Sequence, residues 1–242
     1  MKQRRVGGQA VSSGPTTPPK AYHRGVSYAS DERAALCALL DETGPDAPTL
    51  CEGWRTADLA AHLVLRERRP DAAAGLLGGP LAGHTRRVNE TLSRQTPFPR
   101  LVELIRSGPP SLSLFRLPGM DERLNLVEFF VHHEDARRGA DGWLPRELKD
   151  GLTEALWQRL RGSRLVFRRS PVGVELARDD LAADPGERQV RMTARARTPV
   201  VTVTGHPAEL MMWALGRTDA AQVRLDGNAD AVRQLSTARR GV

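Results

Sequence analysis

Glu128 and His132 stand four residues apart in Leu124 to Asp135, a segment that reads LNLVEFFVHHED. On a helix that spacing puts both side chains on one face, about 6 Å apart. A carboxylate and an imidazole so placed can share one divalent ion through bonds of roughly 2.0–2.2 Å. Leu124, Val127, Glu128, Val131, His132 and Asp135 step by three and four, so they form a single stripe. Burial of its apolar members draws Glu128 and His132 inward, and a buried carboxylate needs a partner or a metal. A third ligand has to come from a facing helix. His62, between Leu59 and Leu63 on an apolar stripe, fits that role. Two histidines and one carboxylate match a catalytic-type divalent site with positions open to water or substrate.

The same residues have plainer readings. A lone histidine on an apolar face is usually a hydrogen-bonded core residue. Glu128 and His132 read equally as a buried hydrogen-bonded pair, or as an exposed pair if the helix is phased differently. His133 points about 100° away from His132 and reads as structural or supporting. His84 falls in a loop-like region and is a poor ligand candidate. Asp135 is placed to orient His132, whereas Glu134, Arg137 and Arg138 read as a solvated helix end. Cys37 and Cys51 form no C-x-x-C pair. With no export signal ahead of them they are expected to be free thiols. Cys51 reads first as a small buried residue and second as a reactive thiol near the pocket.

The elements that must hold these residues follow from punctuation and periodicity. Residues 1–29 are rich in Gly, Ser, Thr and Pro without apolar periodicity, and are expected to form a disordered extension. Ser30 is an N-cap candidate, with Asp31 and Glu32 in the first turn and Leu36, Leu39 and Leu40 as the apolar stripe. Gly44-Pro45 ends that helix. Thr56 caps the next, Ala57 to Arg69. Further helices are expected over Arg86 to Leu92, after Pro99, over Glu122 to Arg138, and from Pro145, with Leu148, Leu152, Leu156 and Leu160 each four apart. Past residue 161 the pattern becomes β-rich. Leu165 to Arg168, Gln189 to Thr193, Val172 to Leu176, Val200 to Thr204 and Gln222 to Leu225 read as strands. His206 to Leu215 and Ala229 to Ser236 read as helices, with a turn at Asp226-Gly227-Asn228. The fold expected is α+β, with a four-helix bundle over 30–161 and a small α+β domain over 162–242.

Composition narrows the partners. At 242 residues the chain can bury a sizeable core, and its 40% hydrophobic and 27% charged content is that of a soluble globular protein. No apolar run is long enough to span a membrane, and no apolar segment follows the N-terminal charges as in a secretory signal, so a cytoplasmic protein is expected. The formal net charge of +7 suggests nucleic acid, but Lys2, Arg4, Arg5, Lys20 and Arg24 supply five of those charges, leaving the body with +2. Aromatics are only 5%, so neither a dense basic stripe nor a stacking platform is present, and nucleic acid is not the partner favoured.

Two strings carry a family resemblance. Thr49-Leu50-Cys51-Glu52-Gly53-Trp54, followed by Asp58-Leu59-Ala60-Ala61-His62-Leu63, resembles the opening of the mycothiol-dependent maleylpyruvate isomerase N-terminal domain. Val127 to Asp135 resembles that family's second metal motif, E-x-x-x-H. The family is of the DinB/YfiT-like four-helix-bundle metalloprotein type. The resemblance covers about residues 30–161 and extends weakly to Thr202–Gly205 and Trp213–Arg217. It looks closer to a subgroup known mainly as predicted metal-binding proteins than to the isomerase itself. It implies a divalent metal, usually zinc, at His62, Glu128 and His132. It also implies low-molecular-weight thiol chemistry with mycothiol, in which bound metal favours the thiolate. Arg217 is then a candidate for binding an anionic substrate or the thiol cofactor, since Arg suits carboxylates; a surface arginine after a helix is its plainer reading. Two functions remain open: a thiol-dependent transferase or isomerase acting on a small-molecule thiol or electrophile, and a non-catalytic metal-binding or sensing protein whose C-terminal domain meets a partner.

Overall fold

In the computed structural model the described residues are 27–76, 78–111, 113, 120–181 and 189–238. Of the expected disordered extension, residues 1–26 lie outside them. The chain is α+β, with helices first and a four-stranded sheet after them.

Ser27, three residues ahead of the expected cap, is the N-cap of α1 (Tyr28–Thr43), its hydroxyl accepting from the Ser30 N–H. The helix ends where Gly44 takes a φ of +73°, a left-handed value that glycine adopts without strain. Next come α2 (Thr56–Arg68), the short α3 (Pro70–Ala73), α4 (Ala82–Gln95), α5 (Phe98–Arg106) and α6 (Met120–Arg137). Helix α1 packs along α6, α5 lies against α1 and α2, and α4 lies on α2. Their shared core contains Leu36, Leu40, Leu59, Leu63, Leu101, Ile105 and Phe129. Among the described residues no helix is long and apolar enough to cross a membrane.

Three expectations are corrected here. Pro145 does not open a helix: α7 runs Asp150–Arg159, and the residues from Pro145 to Lys149 have no regular structure. The reason is Arg146, whose guanidinium reaches back to Glu32 and Glu134 and holds that segment against α1 and α6. Leu165 to Arg168 is not a strand. Two 3-10 turns, Leu160–Arg164 and Val166–Arg169, tuck Phe167 under Trp213, with ring centroids 5.4 Å apart. Leu124 is not buried with its stripe but is 42% exposed.

The sheet comprises β1 (Gly173–Arg178), β2 (Arg191–Arg195), β3 (Val200–Gly205) and β4 (Arg224–Gly227), in the order β2-β1-β3-β4. β1 and β3 are parallel, pairing Val174 with Val201 and Leu176 with Val203; the two outer pairings are antiparallel. Those four apolar side chains alternate along their strands and are buried, as a half-covered sheet requires. Helices α8 (Pro207–Ala214) and α9 (Ala229–Thr237) pack on the sheet. The expected turn at 226–228 is the end of β4 followed by Asn228, the N-cap of α9. One continuous core joins Trp213, Met212 and Val203 to Leu126 and Phe130 of α6, so α6 is buried from both the helical and the sheet side.

Candidate functional site

Helices α2 and α6 bring three of the predicted residues together. His62 Nε2 is 3.1 Å from Glu128 Oε1, and His132 Nε2 is 3.3 Å from the same oxygen. The three potential ligand atoms all lie within 4.8 Å of one another, and the two imidazole centroids are 5.0 Å apart. Two ring nitrogens facing one carboxylate oxygen form a donor set suited to a borderline divalent ion. The face of α6 that carries Val127, Glu128, Val131 and His132 lines a cavity of about 650 Å³, together with Cys51 and Trp54 from the loop before α2, His62 and Arg66 from α2, and Leu215 and Arg217 from the segment after α8.

Asp135, 0% exposed, sits behind His132 and accepts from its Nδ1 at 2.9 Å. That bond assigns the Nδ1 proton and leaves Nε2 as the ring position turned to Glu128. Burial alone would depress the His132 pKa. The bond with Asp135, then those with Cys51 and Glu128, outweigh it and hold the pKa well above the ordinary imidazole value. Burial would raise the Glu128 carboxyl, but hydrogen bonds from His132 and His62 hold it well below the usual range. His62 goes the other way: burial lowers its pKa more than Glu128 restores it. Glu128 is thereby held as a carboxylate between the two ring nitrogens. Arg66 adds to this, with Nε 3.4 Å from Glu128 Oε1 and its other nitrogens on the Asn125 side chain and the Leu124 carbonyl.

Arg217 lies at this cavity, and sequence spacing gave no sign of its partner. It donates to both oxygens of Asp135 and, through Nη1, to the Leu215 carbonyl at 2.7 Å. Burial opposes ionisation of a carboxyl such as Asp135, yet the bonds from His132 and Arg217 bring its pKa down to about 2. Cys51 completes the group, its Sγ 3.3 Å from Asp135 Oδ2 and 3.7 Å from Arg217 Nη2. Both cysteines are free.

The loop before α2 is pinned to α6. The Leu50 N–H donates to the Asp135 carbonyl at 3.0 Å, and a Cβ at Gly139 would lie 2.2 Å from the Pro48 carbonyl oxygen, so only glycine lets the two chains approach this closely. Pinning this loop sets Cys51 and Trp54, and the Trp54 ring lies 5.3 Å from His62.

The other candidates fall elsewhere. His133 turns away and pairs through Nδ1 with Glu32 at 2.9 Å. His84 is on α4, not in a loop, and its Nε2 is 3.5 Å from Asp71. Glu134 and Arg138 are not a solvated helix end. Glu134 is 1% exposed, because Arg138 links it to Glu209 of α8 while Arg146 covers its other oxygen.

A helical array that presents His and Glu donors into a cavity defines a class of candidate metal-site protein. Residues 26–111, just over a third of the chain, match the mycothiol maleylpyruvate isomerase N-terminal domain family. The match contains Cys51, Trp54 and His62 and ends before α6, so Glu128 and His132 lie beyond it. No curated protein and no solved structure matches the chain.

Proposed function

We propose that this chain is a metal-binding protein of the mycothiol-dependent isomerase or transferase type, with His62, Glu128 and His132 holding one divalent ion, zinc by preference. The observation that carries the proposal is the convergence of two ring nitrogens on a single Glu128 oxygen beside a cavity. The ion, when bound, supplies Lewis acidity that favours the thiolate of a low-molecular-weight thiol. The chain's own residues do the rest. Asp135 holds the His132 ring with Nε2 forward and keeps the proton on Nδ1. Arg217 fixes Asp135 and brings positive charge to the cavity wall, where it favours an anionic substrate or thiol cofactor. Trp54 and Val131 keep that wall apolar. In this reading the helical part through about residue 161 supplies the donors, the part after it supplies Arg217, and the protein works in the cytoplasm. The cavity beside the donors favours an enzyme over a sealed, non-catalytic metal or sensing site.

Metal analysis of the zinc-reconstituted wild type beside His62→Ala, Glu128→Ala and His132→Ala tests the site. About one zinc per chain is expected in the wild type and a loss in each variant. A wild type that retains no metal, or three variants that retain it fully, would overturn the assignment. Turnover with mycothiol and a panel of electrophiles then tests the chemistry; product formed only with both thiol and metal is the expected result.

A further inference from the structure

The two 3-10 turns after α7 wind as one helical segment, because Arg159 before them and Leu165 between them keep helical φ values of −70° and −71°. Its inner side is Leu160, Ser163, Phe167 and Ser170, all buried. Its outer side is Arg161, Arg164, Leu165, Arg168 and Arg169, all exposed. The outer residues step by three and four, apart from adjacent pairs, so one face carries four guanidiniums around one leucine. Leu165 is 74% exposed. No acidic residue lies between Glu154 and Glu175 in the sequence, and those two are engaged by Arg178 and Arg191. None of the four outer arginines makes an ion pair among the described residues. Elsewhere the arginines of α6 and its neighbours are matched to carboxylates, as Arg138 is to Glu134 and Arg146 to Glu32. Strand β2 lies against both turns, and it and the loop after it add Arg195 and Arg197, again with no acid between Glu187 and Glu209.

A face of this kind calls for a partner with many negative charges and a place for an aliphatic side chain. A second copy of the chain meeting it would set arginine against arginine. A nucleic acid offers phosphates, but the outer face has no aromatic side chain on which a base can stack, and a phosphate backbone gives Leu165 no apolar partner. An anionic bilayer supplies both needs: headgroup phosphates for the guanidiniums and the boundary between headgroups and acyl chains for the leucine. Arginine stems are long enough to lie beside that leucine with their charged ends in the headgroup layer. We propose that the outer face of Leu160–Arg169 docks the protein on an anionic lipid surface, with Arg161, Arg164, Arg168 and Arg169 on headgroup phosphates and Leu165 inserted between them. The contact lies on the membrane and needs no spanning helix. With one short apolar anchor it is reversible and salt-dependent. It is independent of the metal site, which faces a cavity built from other residues.

The test is co-sedimentation of the full chain with vesicles of phosphatidylcholine alone and of phosphatidylcholine mixed with phosphatidylglycerol. Partitioning to the mixed vesicles, little to the neutral ones, and a fall as salt is raised are expected. Lys2, Arg4, Arg5, Lys20 and Arg24 are basic too, so the variants decide. Arg164→Ser/Arg168→Ser is expected to lower partitioning at least about tenfold, since each charge near such a surface is worth roughly fivefold. Arg161→Ser/Arg169→Ser carries the same comparison should the first pair not fold. Arg87→Ser/Arg100→Ser removes the same charge from exposed positions on α4 and α5, and is expected to have a much smaller effect. Leu165→Ser, with no change of charge, is expected to lower partitioning several-fold. A wild type that ignores anionic vesicles, or a control pair that loses as much as the Arg164 and Arg168 pair, overturns the docking face. Leu165→Ser that partitions as the wild type does, or tighter retention on a DNA duplex that is lost in the Arg164 and Arg168 variant, overturns the lipid assignment.

Discussion

Arg217 grips Asp135 with Nε at 2.8 Å and Nη2 at 2.6 Å, and the carboxylate so held is the one that accepts from His132 Nδ1. A residue after α8 thereby sets the orientation of a side chain on α6. Asp135→Asn removes the charge that both partners face, leaving Arg217 without its carboxylate and His132 with Glu128 alone. Loss of one member of a buried ion pair costs on the order of 3 kcal/mol, which urea unfolding will read as a lower midpoint at unchanged slope. Zinc affinity should fall by about 10- to 100-fold as the ring loses its orientation. An unchanged midpoint and unchanged zinc affinity would remove Asp135 from both roles.

The two cysteines should differ in reactivity. Cys37 is fully buried and burial pushes its thiol up to about 11, so at neutral pH it is both protonated and shielded. Cys51 borders the cavity. With an aromatic disulfide reagent on the native metal-free protein, one thiol per chain is expected to react readily and the second only on unfolding. Cys51→Ser should abolish the fast phase. A fast phase that survives in Cys51→Ser would contradict the arrangement.

Acid should weaken the fold through Glu32. Burial would raise its carboxyl pKa, but His133 and Arg146 together pull it below the ordinary glutamate value. A carboxylate depressed in the folded state binds fewer protons there than in the unfolded chain. Its contribution is therefore present above the unfolded pKa and lost as pH falls from there through the folded pKa. Urea midpoints measured from pH 7 down to pH 3 should decline, and Glu32→Gln, less stable at pH 7, should show a shallower decline. Parallel declines in both proteins would mean that Glu32 is not a source of the acid sensitivity.

The legible parts of the fold were those where one environment dictated the pattern. β3 alternates because one face of the sheet is covered, and α2 was legible because Leu59, His62, Leu63 and Arg66 keep helical spacing between a cap at its start and Pro70 after its end. α6 misled because it is enclosed on nearly all sides, so apolar period no longer marks a single face; Phe129 and Phe130 face different cores. Leu165 to Arg168 has strand composition, yet Phe167 is used as a wedge under Trp213. The pairing of His62 with α6 was suggested by the donor types and supported by resemblance. The Arg217–Asp135 contact links residues 82 positions apart, and only folding of the sheet and α8 onto α6 brings them together.

Gly139 controls the loop that carries Cys51 and Trp54. Its Cα faces the backbone of Pro48 and Thr49, with no flexible side chain to give way. Gly139→Ala must therefore push the 48–54 loop off the end of α6, straining the Leu50 N–H bond to the Asp135 carbonyl. Overpacking against backbone costs about 1–3 kcal/mol, so the unfolding midpoint should drop even though alanine favours helix in general. Because the loop sets Trp54 against His62, zinc affinity should fall too, and the Cys51 thiol should react faster than in the wild type. Midpoint, zinc titration and thiol kinetics on one variant distinguish a local loop shift from a general loss of stability. The shift alters all three, whereas a general loss lowers the midpoint and leaves zinc affinity in the folded state as it was.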